Sequence, residues 1–454
     1  MKNPTARAVA STGYARRLGL FDGTMLVMGG IIGAGIFLNP AIVAQRVGTG
    51  TLTIGVWVIG GVIALAGAFC FAELGAARPQ AGGGYVYLRD ALGELPAFLY
   101  GWTLLRVIST GAIAAVAVTF ARYTVALAGI AETAVTPIAV AAILLLSAVN
   151  YVGVRPGANT QNLFTVLKLA ALVVLIVVGL AVAPDGAQQA PPSEPASGGS
   201  GLWVVVGAVG VALIPVLFSY GGWQQTNYVA EEIIAPERTL PRALLLGVAG
   251  VVAVYVLANV VYVRQLGVAG LAGSLAPAAD VVSRTVGAGG RTFISAGIAA
   301  STFGFLNLVI LVTPRVYQAM ARDGLFLSRV ARLHPRFHTP TAAITFQASW
   351  AVVLALSGTY GQLLDYVVFG DWIFFGLCGV CVFVFRRRRG EPEPMFRTPG
   401  YPLVPALFVT AAMYVVVSSV ISNPTNAAVG SGLIALGLPA YWFWKSRTVR
   451  PAKG

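Results

Sequence analysis

The chain has 454 residues, 57% of them hydrophobic and only 10% charged, against roughly 25% charged in an ordinary soluble domain. That deficit excludes a disordered or water-exposed chain and points to an integral membrane protein. The net charge of +14 is spread over many short segments, which argues against a nucleic-acid surface.

A helix needs about 20 apolar residues to cross the hydrocarbon core. Stretches of that kind are predicted at 22–46, 51–76, 96–127, 136–153, 159–183, 202–230, 241–264, 291–315, 340–358, 363–385, 401–422 and 426–444. These spans use most of the length and leave no room for a sizeable soluble domain. No signal peptide or targeting tail is recognisable. Orientation follows from the distribution of Lys and Arg. With the N-terminus inside, only Arg46, Arg122, Arg264, Arg284 and Arg291 fall in outer segments, Arg106 and Lys168 fall within spans, and the rest lie inside. Both termini are therefore expected to be cytoplasmic, and the clusters Arg386 to Arg389 and Lys445 to Arg450 read as stop signals beside anionic lipid headgroups. The expected organisation is an N-terminal tail (1–19), a five-span unit (20–183), a flexible outer loop rich in Pro, Ser, Gly and Gln (184–201), a second five-span unit (202–389), two further spans (390–445) and a C-terminal tail (446–454).

Span 1 carries the segment GGIIGAGIFLNP, with Gly29, Gly30, Gly33 and Gly35, and span 6 carries Gly221 and Gly222. These are the first spans of two halves that begin on opposite sides. Glycine-interrupted helices at corresponding positions point to an inverted-repeat transporter and its site; the plainer alternative is that membrane glycines help helices pack. A backbone opened at Gly33, Ala34 and Gly35 offers free N–H groups at the start of a half-helix near Ile36, which suits a carboxylate. The preceding half-helix ends near Ile31 with carbonyls that suit an ammonium. An α-amino acid carries both charges on one carbon. A side chain placed at Gly35 is expected to fill substrate space. In span 6, Phe218, Ser219, Tyr220, Gly221, Gly222 and Trp223 follow one another, and an aromatic beside a break can cover a solute; Phe218 can equally face lipid or core.

Lys168 in span 5 and Asp371 in span 10 are intramembrane ionisable residues, functional hypotheses by default. Snorkelling is the alternative for Lys168, and a structural hydrogen bond for Asp371. Arg106 lies nearer a membrane face and can snorkel. Cys70, Cys378 and Cys381 all sit in apolar spans; the CxxC spacing of the last two reads as packing, without other ligands for a metal. His334 and His338 lie in a basic loop expected to face water. No nucleotide loop, metal cluster or nucleophile with a His base is present, so neither an enzyme nor a cofactor is expected.

Eight motifs in order carry a resemblance that spans nearly the whole chain: IIGAGIF (31–37), FAELG (71–75), GGGYVYL (82–88), TQNLFTVLKLAAL (160–172), FSYGGWQQTNYVAEE (218–232), PERTLPRA (236–243), PRVYQAMARDGLF (314–326) and FGDWIFFGL (369–377). The chain resembles the amino acid–polyamine–organocation (APC) superfamily, and within it the L-type amino acid transporter branch. The resemblance implies an all-α membrane fold of about twelve helices, a LeuT-type five-plus-five inverted repeat with two added C-terminal helices. It implies that a substrate carboxylate meets the amides around Ala34 and Gly35, and that the α-ammonium meets carbonyls of Ile31, Phe218, Ser219 and Gly221. Phe218 matches a gating aromatic, and Tyr220 is expected to point away. Lys168 matches the lysine that stands in for sodium in sodium-independent members and bridges the span 1 break to span 8, where Ser301 and Asn307 match nearby positions. Two departures stand out. Ala34 replaces a Ser found in many L-type members, and Asp371 replaces a usually neutral residue. The loop near Gly129 to Thr136 has no Cys, so no disulfide-linked heavy chain is expected. The expectation is a stand-alone carrier, monomer or homodimer, in the cell inner (plasma) membrane, with amino acids and membrane lipid as partners. Neutral substrates are favoured, carried by exchange or proton symport; the alternatives are a cationic amino acid or polyamine carrier and, from another class, a non-transporting nutrient sensor.

Overall fold

A chain buried in hydrocarbon must satisfy its own N–H and C=O groups, and the helix does so within one segment. The computed structural model describes residues 13–183, 201–287, 289–358, 360–388 and 393–448. Among them the secondary structure is helical, apart from an isolated bridge between Leu18 and Ile233. The expected tail residues 1–12 and 449–454, the loop residues 184–200, and Arg389 and Arg450 of the basic clusters lie outside the described residues.

The helices run in the order α1 (Leu20–Ile31), α2 (Gly35–Val47), α3 (Gly50–Ala77), α4 (Gly84–Leu92), α5 (Glu94–Thr103), a π turn (Leu104–Ile108), α6 (Ser109–Ala128), α7 (Val135–Val152), α8 (Val154–Ala181) and α9 (Leu202–Ser219). A 3-10 segment (Trp223–Glu232) leads to α10 (Pro236–Ala272), α11 (Pro277–Val286), α12 (Gly289–Val312), α13 (Pro314–Arg322), α14 (Thr341–Ser357), α15 (Tyr360–Arg387), α16 (Leu403–Ser422), α17 (Pro424–Ala435) and α18 (Gly437–Thr448). Ten helices or continuous helix pairs among the described residues are long and apolar enough to cross a membrane, and α1 with α2, bent by 43° at their junction, make an eleventh. The shorter apolar α14 lies where the ninth span is predicted. Three short helices were not predicted: α4 and α11, which connect longer ones, and α13, which continues on from α12.

The core forms where α10 packs on α1 and α3, and α12 packs on α6 and α8. These contacts hold α1 between the two groups of helices. One end of the bundle is closed by polar contacts. Arg315 on α13 donates to Glu232 at 2.7 Å and to the Leu311 carbonyl, with both charged side chains out of solvent. The segment before α1 lies over this pair: the Arg17 and Leu18 amides donate to the Glu232 carbonyl, the Ile234 amide donates to Leu18, and the Arg315 guanidinium sits over the Tyr14 ring. Nearby, Tyr85 of α4 donates to Asp323 at 2.8 Å, and Arg89 bonds the same carboxylate. Burial, reinforced by Asp323, pushes the Tyr85 pKa up, so the hydroxyl remains a donor.

Breaking a buried pair leaves an uncompensated charge. Arg315→Met is expected to cost about 3–5 kcal/mol, and adding Glu232→Met to recover much of it. Thermal unfolding of the purified variants in mild detergent measures both; a double variant no more stable than the single one contradicts the account.

Candidate functional site

The two predicted helix breaks exist, and they touch each other. α1 ends at Ile31 and α2 starts at Gly35. α9 ends at Ser219, and the backbone passes through Gly222, at φ 105°, into the 3-10 segment. A Cβ on Gly222 would lie 2.2 Å from the Gly30 carbonyl oxygen, and one on Gly30 would lie 2.8 Å from that of Gly222. No side chain fits at either place, and Gly222 also needs the left-handed backbone that glycine adopts without strain.

Groups released by the breaks find partners on other helices, as buried polar groups must. Lys168 of α8, fully buried, donates from Nζ to the Gly29 carbonyl at 2.8 Å and the Ile32 carbonyl at 2.7 Å. Ser301 of α12 donates to the same Ile32 carbonyl at 3.2 Å. Lys168 and Ser301 meet at that shared acceptor, and no hydrogen bond joins Lys168 itself to α12 among the described residues. Sequence reasoning missed Tyr255 of α10, whose hydroxyl donates to the Ile31 carbonyl at 3.1 Å beside the Gly33 amide. It also missed two residues of α2. Pro215 in α9 has no N–H to give to the Val211 carbonyl, and Arg46 donates there instead at 2.6 Å. Asn39 donates to Ser219 Oγ at 2.7 Å and to the Pro215 carbonyl at 3.0 Å. The carbonyls of Ser219 and Gly221, and the amides of Ala34, Gly35 and Ile36, have no backbone partner among the described residues.

A cavity of about 280 Å³ opens at the breaks. Ile31, Gly33, Ala34, Gly35, Phe218, Ser219 and Gly221 all line it, and so does Asp371. Phe218 is 47% exposed and forms part of the wall, so the core-facing alternative does not describe it. Apolar side chains make most of the rest, among them Leu104, Ile108, Val116, Phe305, Val309 and Phe375. Tyr220 points away, donating to the Trp57 carbonyl at 3.1 Å.

Three expectations need correction. Asn307 does not join Lys168 at the break: it donates to the Gly157 carbonyl and Gln161 and accepts from Asn150, a polar cluster joining α12 to α7 and α8. Gly35 does not face open substrate space, since a Cβ there would lie 2.5 Å from Ser219 Oγ. Gly33 is the open position, with nothing within 4 Å of an added Cβ. Asp371 has no hydrogen bond or ion pair among the described residues, so the structural hydrogen bond considered for it is not found there. Arg106 lies outside the cavity, its guanidinium 4.9 Å from the Trp102 ring and 5.1 Å from that of Trp350. Cys70, Cys378 and Cys381 are buried thiols.

Apolar helices around a cavity framed by two broken ones define a multi-pass membrane carrier. The chain belongs to the amino acid permease family, whose model matches residues 18–444; its members are permeases and not enzymes. It is 32% identical over 420 residues to the b(0,+)-type amino acid transporter 1 of Homo sapiens, covering 91% of this chain and 85% of the relative. It is 30% identical to the large neutral amino acids transporter small subunit 2 of Mus musculus, over 98% of this chain and 85% of the relative. It is 31% identical to the serine/threonine exchanger SteT of Bacillus subtilis (strain 168), over 96% of this chain and 98% of the relative.

The contact between the breaks makes a direct prediction. Gly222→Ala combines a steric clash with an unfavourable φ and should destabilise the protein by more than about 1 kcal/mol, whereas Gly33→Ala should fold as the parent does. The monodisperse fraction after detergent extraction and the unfolding temperature report the difference; equal behaviour of the two variants would refute it.

Proposed function

We propose that this protein is a sodium-independent transporter of α-amino acids that works by alternating access, as an exchanger or proton symporter. The observation that carries the reading is the Lys168 ammonium, held by the Gly29 and Ile32 carbonyls beside a cavity that both helix breaks line. An ammonium there supplies the fixed positive charge that a bound cation would otherwise bring to opened backbone. The free amides at the start of α2 then suit the substrate carboxylate. The substrate ammonium is assigned to the carbonyls of Ser219 and Gly221, with Ile31, whose carbonyl Tyr255 also bonds, as a shared acceptor. Phe218, standing in the cavity wall, is assigned the covering role. Ser301 acts with Lys168, and Asn307 acts from α12, which its cluster joins to α7 and α8.

Two five-helix units, 20–183 and 202–389, with 390–445 added, fit the matching breaks in the first helix of each. The bias of Lys and Arg supports an inner-membrane protein with both termini cytoplasmic, which makes the end closed by Glu232 and Arg315 the cytoplasmic one. The buried cysteines, and the absence of Cys from the loop after α6, support a carrier that works without a disulfide-linked partner. The apolar wall supports neutral side chains; Asp371 favours a second reading in which cationic ones are taken.

Uptake of a labelled amino acid panel into proteoliposomes tests the proposal. Rates should be unchanged when Na⁺ is replaced by choline at constant pH, and a steep dependence on Na⁺ would reject the assignment of Lys168. Lys168→Ala removes buried charge-assisted hydrogen bonds worth roughly 1.5–3 kcal/mol each, so transport should fall by about tenfold or more while expression is retained. Lys168→Arg should also transport poorly, because a planar fork does not fit a site built around a point charge. Gly33→Leu, which projects into open cavity, should insert and fold but fail to transport; normal uptake kinetics would show that substrate does not pass this backbone.

A further inference from the structure

We propose that Asp371 forms a cation subsite for the substrate side chain, so that amino acids with a side-chain ammonium or guanidinium bind in preference to neutral ones of the same shape. The proposal rests on the reading above, in which the helix breaks hold the α-amino and α-carboxyl groups.

Asp371 is the one Asp, Glu, Lys or Arg among the described residues lining the cavity. A carboxylate in such a setting is costly unless a positive partner meets it, and the protein supplies none. Lys168 is committed to the Gly29 and Ile32 carbonyls, and the Arg106 guanidinium lies between Trp102 and Trp350. The hydroxyls that line the cavity or lie behind it carry no charge to offset the carboxylate. Thr302 and Thr313 each donate to a carbonyl of α12, Thr313 also meeting Gln347, and Tyr100 and Tyr228 share one hydrogen bond, which leaves one hydroxyl proton between them. No positive group of the described residues is left to meet the carboxylate, and a cationic solute supplies one.

The placement suits a side chain and not an α-group. α15, which carries Asp371, packs on α3, α4, α6 and the π turn, whereas the breaks belong to α1, α2 and α9. The carboxylate and the breaks therefore enter the cavity from different walls, with apolar Leu104, Ile108 and Phe375 among the residues around them. A lysine side chain has this composition, a flexible four-carbon stem ending in a compact charge. The stem lies against the apolar wall and the charge reaches the carboxylate. A neutral aliphatic side chain keeps the first contact and lacks the second, which ranks the two classes without excluding either.

Competition against uptake of a labelled amino acid tests this with three ligands of one length: lysine, norleucine, which lacks the side-chain ammonium, and cadaverine, which lacks the carboxylate. In the parent protein lysine should compete about tenfold or more better than norleucine, a ratio equivalent to about 1.4 kcal/mol. Asp371→Asn should bring that ratio to about one, and Asp371→Glu should preserve its sense. Where a variant no longer supports uptake, ligand-induced shifts in the unfolding temperature of the purified protein give the same ratio. Norleucine competing as well as lysine in the parent, or a lysine preference that persists in Asp371→Asn, overturns the proposal and leaves the helix-break reading standing. Cadaverine competing as well as lysine, or no binding of either amino acid, overturns the helix-break reading itself.

Discussion

Helix α1 stops at Ile31 inside the fold, and the carbonyl groups of its last turn face a region where other helices must supply the donors. Lys168 answers two of them from α8, Tyr255 answers one from α10, and Ser301 adds a second bond to Ile32 from α12. An opened helix is tolerated at membrane depth only where its backbone is buried in protein or lines a cavity, and both conditions are met at this place. The same set of bonds ties α1 to three helices distant in sequence. The break thus serves as a recognition surface and as a junction of the bundle.

The second break makes the first usable. Gly222 lies against Gly30 at backbone contact, so the ends of α1 and α9 face one space and not two. Asn39 and Arg46 then fix α2 to α9 by filling acceptors that Pro215 and the helix end leave open. Around this polar edge the cavity wall is apolar, apart from Asp371 and a few hydroxyl and amide groups. At one end of the bundle the Glu232–Arg315 pair and the segment around Leu18 close the structure. Any motion that opens that end must separate a buried ion pair and the backbone contacts over it.

The breaks, the lysine and the intramembrane carboxylate were legible because each is anomalous in its surroundings. Glycines clustered in an apolar helix and charges in the middle of one are costly there and call for a reason. Tyr255 was not legible, because a tyrosine in an apolar helix reads as core, and its acceptor lies 224 positions away in the chain. Asn39 and Arg46 were hidden for the same reason. Gly35 was read as facing solute, but its neighbour is Ser219; a glycine looks the same whichever surface approaches it. Asn307 matched a motif position and proved to serve a neighbouring cluster, since a few residues along a helix change the face presented.

By itself the sequence determined the class of the protein, because hydrophobic stretches of membrane length leave few alternatives to a helical bundle and the ordered motifs mark its family. It also determined where the helices break, since glycine acts locally on the backbone. Only the tertiary structure decided which groups the breaks meet: Lys168 on Gly29 and Ile32, Gly30 against Gly222, and Asp371 in the cavity without a partner among the described residues. Those outcomes depend on distances between helices far apart in the chain, and no local propensity encodes such a distance.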